Sequence, residues 1–299
     1  MRFGHRPYDP GVDLDLRLVR YFTVVAEHGT FHRAAEELRV AQPSLSRQVQ
    51  RLEELLGVRL LDRTPQGSRL TDAGRAFLPD AHALLRSADV AAARARATAG
   101  VITVGHAGGL LVTAAVRDLR HRRPDVEVRT LHLDWHDVRA ALLEHRVDVA
   151  VAREPFATDG LRVTTLAEQP RVLLVPDAHR LAGKDSVSLD DFADEPLVRY
   201  ADPDYDAFWR VDPRPDGRRA PDGPLVGAHE DKLEQVAGGR ALALAPAGSG
   251  PPRPDLVAIP VDGIAPCRVV LAVRADERGP LVAAFHDAAR TVFTRSQED

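Results

Sequence analysis

Two helical patterns joined by only three residues, Arg39-Val40-Ala41, constrain the amino-terminal part of this sequence more than any other feature. Before them, Leu18, Tyr21, Phe22 and Val25 follow the i, i+3, i+4, i+7 spacing of an amphipathic helix that Gly29 ends. The second pattern covers residues 31–38 and the third 42–56, with Gly57 as its stop and Pro43 in its first turn, where a missing N–H does no harm. At roughly 100° per residue, Leu45, Val49, Leu52 and Leu56 share one side of the third helix. Pro43, Arg47, Gln50 and Arg51 fall opposite, with Ser46 at their edge. Residues 59–63 and 68–70 then flank Pro65-Gln66-Gly67 as the strands of a short wing.

Two short helices joined by a turn, the second presenting polar groups, have the geometry with which a helix enters the DNA major groove. Arg47, Gln50 and Arg51 carry donors and acceptors that match base edges, each good pair contributing about 1–3 kcal/mol of discrimination. Ser44, and Arg33 from the preceding helix, suit phosphates, which fix register without reading sequence. Arg63 and Arg69 beside the wing turn suit the backbone or the minor groove. An ordinary solvated helix face shows the same alternation, so periodicity by itself leaves both readings open. The charge distribution favours the first: residues 1–97 carry 15 basic and 12 acidic side chains, whereas 98–299 carry 25 and 32. Within a net charge of −4, the amino-terminal part is the better partner for a polyanion.

Thr71 is placed to cap a long alanine-rich helix ending near Ala97, on which Phe77, Ala81, Leu84, Ala88, Ala91 and Ala95 recur at spacings of four and three. Such a stripe wants a partner helix, although packing on the same chain would also bury it. Pro79 lies inside it, which predicts a late start or a kink. After Gly100, strand and helix patterns alternate over 101–105, 110–122, 126–133, 137–144 and 148–153, the order of a parallel sheet with helices on its faces. The runs 211–224 and 246–254 read as loops, 233–236 as a helix, 241–245 as a buried strand and 281–293 as a last helix.

The 299 residues suffice for two or three folded units, and 44% hydrophobic and 28% charged residues fit a globular chain. No apolar run is long enough to span a bilayer, and the first thirty positions lack the apolar block of a signal peptide, so a cytoplasmic protein without membrane partners is expected. The single cysteine, Cys267, makes neither an intramolecular disulfide nor a thiolate cage. It sits in an apolar strand-like run rather than a basic cleft. Of 40 basic residues only Lys184 and Lys232 are lysines.

In the second half, the turn from Gly105 to Gly109 follows a strand and opens a helix, so its free N–H groups suit an anion, and Gly108 and Gly109 are candidate contacts. Trp135, Arg153, Tyr200 and His229 lie at or just past predicted strand ends, where open α/β sheets bind ligands. Trp135 would stack a planar ligand and Arg153 would pair with a carboxylate. The group His132, Asp134, His136 and Asp137 has metal-binding chemistry but nothing to fix it on one centre, and no phosphate-loop, nucleophile-elbow or H-E-x-x-H motif occurs. No catalytic, metal or cofactor site is expected.

The run from Phe31 to Gly57, followed by Leu60-Leu-Asp-Arg-Thr and Leu70-Thr-Asp-Ala-Gly, closely resembles the LysR-type transcriptional regulators. The resemblance implies an α/β chain with an amino-terminal winged helix-turn-helix, a linker helix that dimerises it, and a carboxy-terminal effector-binding domain of two α/β subdomains similar to periplasmic binding proteins. The expected layout is an extension over 1–13, a DNA-binding domain over 14–71, a linker helix over 72–98, and an effector domain over 99–299. The effector domain would divide into one subdomain of 99–175 with 268–299 and another of 176–267. Carried over by position, Gln42, Pro43, Ser46 and Arg47 would meet base edges and Arg63 would lie at the wing. His32 stands where the family more often has a small hydroxyl or another polar residue. The implied partners are promoter DNA with partly palindromic sites, a small-molecule effector, further copies of the chain up to a tetramer, and RNA polymerase. The competing reading is an enzyme or solute-binding module in residues 100–299 fused to a helix-turn-helix that serves protein contacts.

Overall fold

The computed structural model describes residues 13–64, 67–248 and 253–295, so the expected extension falls, apart from Asp13, outside the described residues. The chain divides into two compact units, Met1–Ala92 and Ala93–Asp299. No described helix is long and apolar enough to cross a membrane.

The first unit holds α1 (Leu16–His28), α2 (Phe31–Glu37), α3 (Gln42–Leu56), β1 (Leu61–Thr64), β2 (Gly67–Leu70) and most of α4 (Asp72–Thr98). Asp15 caps α1 by accepting from the Arg17 N–H, and Gly29 ends it at φ 67°. Thr30 caps α2, and Gly57 ends α3 at φ 68°. Leu18, Phe22 and Val25 of α1, Ala34 of α2, and Leu45, Val49 and Leu52 of α3 close one core at 1% exposure or less. A fully buried side chain of this kind contributes roughly 1.5–3 kcal/mol, which is why helices this short hold together. The wing begins at Leu61, two residues later than its sequence pattern, because residues 59–60 serve as an attachment. Glu53 on α3 accepts from the Leu60 and Leu61 N–H groups at 2.8 and 3.0 Å, and the Ser68 N–H donates to the Gly29 carbonyl at 2.8 Å.

The Thr71 hydroxyl accepts from the Gly74 N–H at 3.0 Å, as its capping role requires. Helix α4 starts at once and runs through Pro79, so the late start expected from that proline does not occur. Its apolar stripe is divided. Phe77 lies 5.6 Å from Phe22 between ring centroids and Ala81 is fully buried in the same core, whereas Leu84, Ala91 and Ala95 are exposed.

The second unit begins with β3 (Val101–Ala107), α5 (Thr113–Arg122), β4 (Glu127–Leu133), a 3-10 turn over Trp135–Asp137, α6 (Val138–Leu143) and β5 (Val149–Arg153). It continues with β6 (Leu161–Gln169), β7 (Arg171–Pro176), β8 (Leu197–Arg199), α7 (Pro203–Arg210) and β9 (Asp222–Leu225). The last elements are α8 (His229–Ala237), β10 (Ala243–Pro246), β11 (Leu256–Pro260), β12 (Cys267–Arg274) and α9 (Pro280–Arg295). A five-stranded sheet has the order β4-β3-β5-β12-β6. Strands β4, β3 and β5 are parallel, as the alternating pattern predicts, but β12 enters antiparallel between β5 and β6. That return strand arrives from the far end of the chain, which local periodicity does not report.

On β5, Val149 and Val151 face the core shared with α5 and α9, while Ala150 and Ala152 face α6 on the other side. The two-residue period thus feeds two helical layers. A second sheet of order β10-β7-β11 is wholly antiparallel, with β8 and β9 forming a parallel pair of their own. Trp209 of α7 joins the core on one side of it and Val236 of α8 the core on the other. Strand β7, which the expected division assigns to the first subdomain, is central to this second sheet, so the chain changes sheets at Gln169-Pro170-Arg171. Strand β9 likewise occupies the end of a segment whose proline and glycine content reads as loop.

Candidate functional site

In the first unit, the α2–α3 connection is tight because Arg39 adopts a left-handed conformation at φ 53° and the Val40 N–H returns to the Ala35 carbonyl at 3.0 Å. The turn sets α3 with its buried edge inward and leaves Gln42, Pro43, Arg47, Gln50 and Arg51 exposed on the opposite face. Ser44 and Ser46 are half-buried beside them. Arg47 donates from Nε to the Pro43 carbonyl at 3.3 Å, one turn back on its own helix. Arg33 on α2 and Arg69 on β2 are also exposed, so nine of the ten expected DNA contacts reach the surface. The tenth, Arg63, lies on β1 and its side chain falls outside the described residues. Among the described residues, Arg33, Arg47, Arg51 and Arg69 form no ion pair with a carboxylate, so these arginines are open to an external anion.

In the second unit the expected contacts converge from both sheets. Arg153, at the carboxyl end of β5, is 9% exposed; its Nε donates to Gln169 Oε1 at 2.9 Å and its Nη1 donates to the Gly108 carbonyl. Gly108 is in a left-handed turn at φ 63°, where an added Cβ would stand 3.3 Å from the Arg153 guanidinium. The glycine turn does not open a helix as expected: residues 105–107 belong to β3, and α5 begins only at Thr113. The turn therefore offers its carbonyl to Arg153 instead of a helix N-terminus to a ligand. Trp135 stacks on Tyr205 of α7 at 3.8 Å and 16°, so one of its faces is already covered. Tyr200, just past β8, sits edge-on to Tyr205 at 4.9 Å, and its backbone N–H donates to Asp206 at 2.7 Å. His229 is the first residue of α8 and is largely exposed.

Sequence reasoning misses three members of this group: Lys232, Arg171 and Tyr205. Lys232 is 8% exposed on the first turns of α8, and Arg171 is 4% exposed at the start of β7. The available signal for Lys232 is that it is one of two lysines in a chain that otherwise uses arginine. Arg171 donates to the Ala265 and Phe208 carbonyls at 2.7 Å each and lies 4.4 Å over the Phe208 ring. Burial lowers the pKa of Lys232 to about 8, with the Arg153 charge adding to the effect, and lowers that of Arg171 to about 10. Burial also raises the Tyr205 phenol to about 12. Partial burial, then Lys232, holds His229 below the ordinary imidazole range.

Cys267 departs from its expected surroundings, because both Arg153 and Arg171 act on it. Its thiol is nonetheless fully buried, and burial, the larger effect, raises its pKa. The histidine-aspartate group has other engagements. Asp137 binds Arg146 at 2.5 and 2.9 Å, His136 packs edge-on to Trp135, and His132 packs against His106 at 5.4 Å. Among the described residues no three His, Cys, Asp or Glu side chains converge on one point.

Comparison with known proteins agrees with this division. A family model described as LysR substrate binding domain matches residues 95–294, and one described as bacterial regulatory helix-turn-helix protein, lysR family, matches residues 16–75. The chain is 36% identical over 195 residues to the uncharacterized HTH-type transcriptional regulator YnfL of Escherichia coli, covering 62% of this chain and 66% of that one. It is 32% identical to the HTH-type transcriptional regulator AlsR of Bacillus subtilis, over 63% of this chain and 65% of that one. The matched part thus spans a little under two thirds of the length of these curated relatives. The crystal structure of full-length CbnR complexed with its target DNA shares 25% identity at a TM-score of 0.53, covering 94% of this chain and all of that one. That of full-length BenM shares 25% at 0.54, over 95% and 98%. These relatives are described as regulators, not enzymes. With one family model matching residues 95–294 and another residues 16–75, the chain belongs to the LysR family.

Proposed function

We propose that the protein is a DNA-binding transcription regulator that responds to a small molecule and acts in the cytoplasm as a homo-oligomer. The observation that carries the reading is the outer face of α3, where Gln42, Arg47, Gln50 and Arg51 stand exposed, with neither arginine in an ion pair with a described carboxylate. Arginine and glutamine at helical spacing match base edges in the major groove, while Arg33 and Arg69 on neighbouring elements suit phosphates. The exposed Leu84, Ala91 and Ala95 of α4 supply the seam for a second copy, and two copies read a partly palindromic promoter site. A ligand held by the Arg153 group favours one arrangement of the oligomer on DNA over another, by as much as its affinity differs between them.

Binding to duplexes recovered by footprinting genomic fragments tests this. Affinity falls steeply with salt, with a log–log slope of about −0.9 for each phosphate neutralised. Arg47→Ala weakens binding to the recovered site roughly tenfold or more and to random DNA much less, whereas Arg33→Ala weakens both alike. Equal losses in the two variants, or affinity independent of salt, would sink the assignment of the α3 face.

A further inference from the structure

The wing meets the rest of the first unit through polar ties of different kinds. The Ser68 N–H donates to the Gly29 carbonyl at 2.8 Å, one backbone group to another. At the base of the hairpin, the Thr71 hydroxyl donates to the Arg59 carbonyl at 2.7 Å and the Thr71 N–H to the Leu60 carbonyl at 3.0 Å, joining the wing to the start of α4. The tie to α3 is Glu53, half-buried, whose Oε1 accepts from both the Leu60 and the Leu61 N–H at 2.8 and 3.0 Å. Leu60 and Leu61 are also anchored by burial, at 1% and 6% exposure, but apolar contact is non-directional and fixes depth rather than angle. Beyond them the space between α3 and β1 is an open groove of about 880 Å³, lined by Gln50 and Glu54 on the helix and Asp62 on the strand, with Val58 on its wall 47% exposed. Side chains do not fill that space, so directional bonds are left to set the angle at which β1 leaves α3.

We propose that Glu53 is a positioning residue for DNA recognition: its side chain fixes the wing against α3, so that Arg69 meets the DNA backbone or minor groove while Arg47 and Gln50 stand at base edges. The inference rests on the reading of the α3 face given above. Glu53 follows Gln50 by three residues on the same helix, so one rigid element carries both the base-reading groups and the acceptor that holds the wing. Arg69 pairs across the hairpin with Asp62, one residue past the bonded Leu61, so rotation of the hairpin about its leucine anchor displaces it. A carboxylate beside a polyanion is otherwise unfavourable, because its charge repels phosphates. Two bonds accepted by one oxygen give it a geometric reason to be there.

The test separates geometry from charge. Full-length wild type, Glu53→Gln, Glu53→Ala and Arg69→Ala, each checked for folding by circular dichroism, are bound to a duplex recovered by footprinting genomic fragments. Methylation protection reads the guanines beneath α3, and hydroxyl-radical protection reads the sugars beneath the wing. Glu53→Gln keeps an acceptor oxygen and loses a negative charge, so it binds as tightly as wild type or more tightly. Glu53→Ala loses the same charge and both bonds. It binds about tenfold more weakly, keeps the guanine protection and loses the sugar protection, and its log–log salt slope shrinks by about 0.9 for each wing phosphate released. Adding Arg69→Ala to Glu53→Ala costs no more than about a further threefold, because Arg69 has already lost its contact. If Glu53→Ala does not fold, Glu53→Asp replaces it, keeping the charge but stopping one methylene short of both N–H groups, with the same losses expected. Guanine and sugar protection lost alike, full additivity with Arg69→Ala, or Glu53→Gln as weak as the alanine variant would each overturn the proposal. A wild-type footprint whose wing protection is indifferent to Glu53 removes the proposal and leaves the α3 reading intact. A wild type that protects no guanine ends the α3 reading, and the proposal with it.

Discussion

Replacing Lys232 by methionine stabilises the unliganded protein. The ammonium ionises in the folded state near pH 8 against 10.5 for an ordinary lysine, and each tenfold change in a proton equilibrium is worth about 1.4 kcal/mol. The charged form is thus disfavoured in the fold by on the order of 3 kcal/mol at neutral pH. Methionine keeps the length and apolar volume of the lysine stem, so little packing is lost. The expected gain is about 1–3 kcal/mol, or roughly 2–10 °C in midpoint for a unit of this size. The two tryptophans of the chain, Trp135 and Trp209, both lie in the second unit, so their fluorescence during urea unfolding follows that unit alone. The pH dependence provides an internal control. Between about pH 8 and 10.5 the unfolded chain still holds the Lys232 proton that the folded chain has released, so the unfolded state binds more protons and wild-type stability rises with pH across that window. Below pH 8 both states are charged and the destabilisation is fully present; above 10.5 it is gone. Methionine removes this rise, so the two proteins converge at high pH. A variant no more stable than wild type at pH 7, or a difference that does not shrink from pH 8 to 10.5, would refute the claim that a solitary ammonium is buried there.

Other outcomes test the first unit. Gly74→Ala places a Cβ 2.1 Å from the Leu60 carbonyl oxygen, which already accepts from the Thr71 N–H, so it should cost about 3 kcal/mol and loosen the wing, measured as a lower unfolding midpoint and weaker DNA binding. Arg39→Gly relieves a left-handed arginine at φ 53° and should stabilise this unit by about 0.5–1 kcal/mol by far-UV circular dichroism; a loss of stability would mean that the arginine side chain matters to the turn. Leu84 is 39% exposed on the open part of the α4 stripe, and Leu84→Asp should shift the mass by light scattering toward the monomer; an unchanged mass would count against that seam.

The helix-turn-helix was legible residue by residue because each of its signals is local. Gly29 and Gly57 end helices, Pro43 opens one, and the spacing of Leu45, Val49 and Leu52 assigns the buried side of α3, so its outer face follows by subtraction. The alternation that produced β3, β4 and β5 is equally local, being written in runs of four to seven residues. What no window of sequence contained was the company each element keeps. Strand β12 joins β5 across more than a hundred residues and turns an expected parallel sheet into a mixed one, because hydrogen-bonding edges accept any strand that arrives with the right pattern. Phe77 and Ala81 were as good a dimer stripe as Leu84 until Phe22 covered them. The group around Arg153 shows the difference most plainly: Arg153 could be picked from its place at a strand end, but a lysine on a polar-looking helix turn becomes a buried charge only once the rest of the domain folds around it, since desolvation and repulsion depend on distances that exist only in three dimensions.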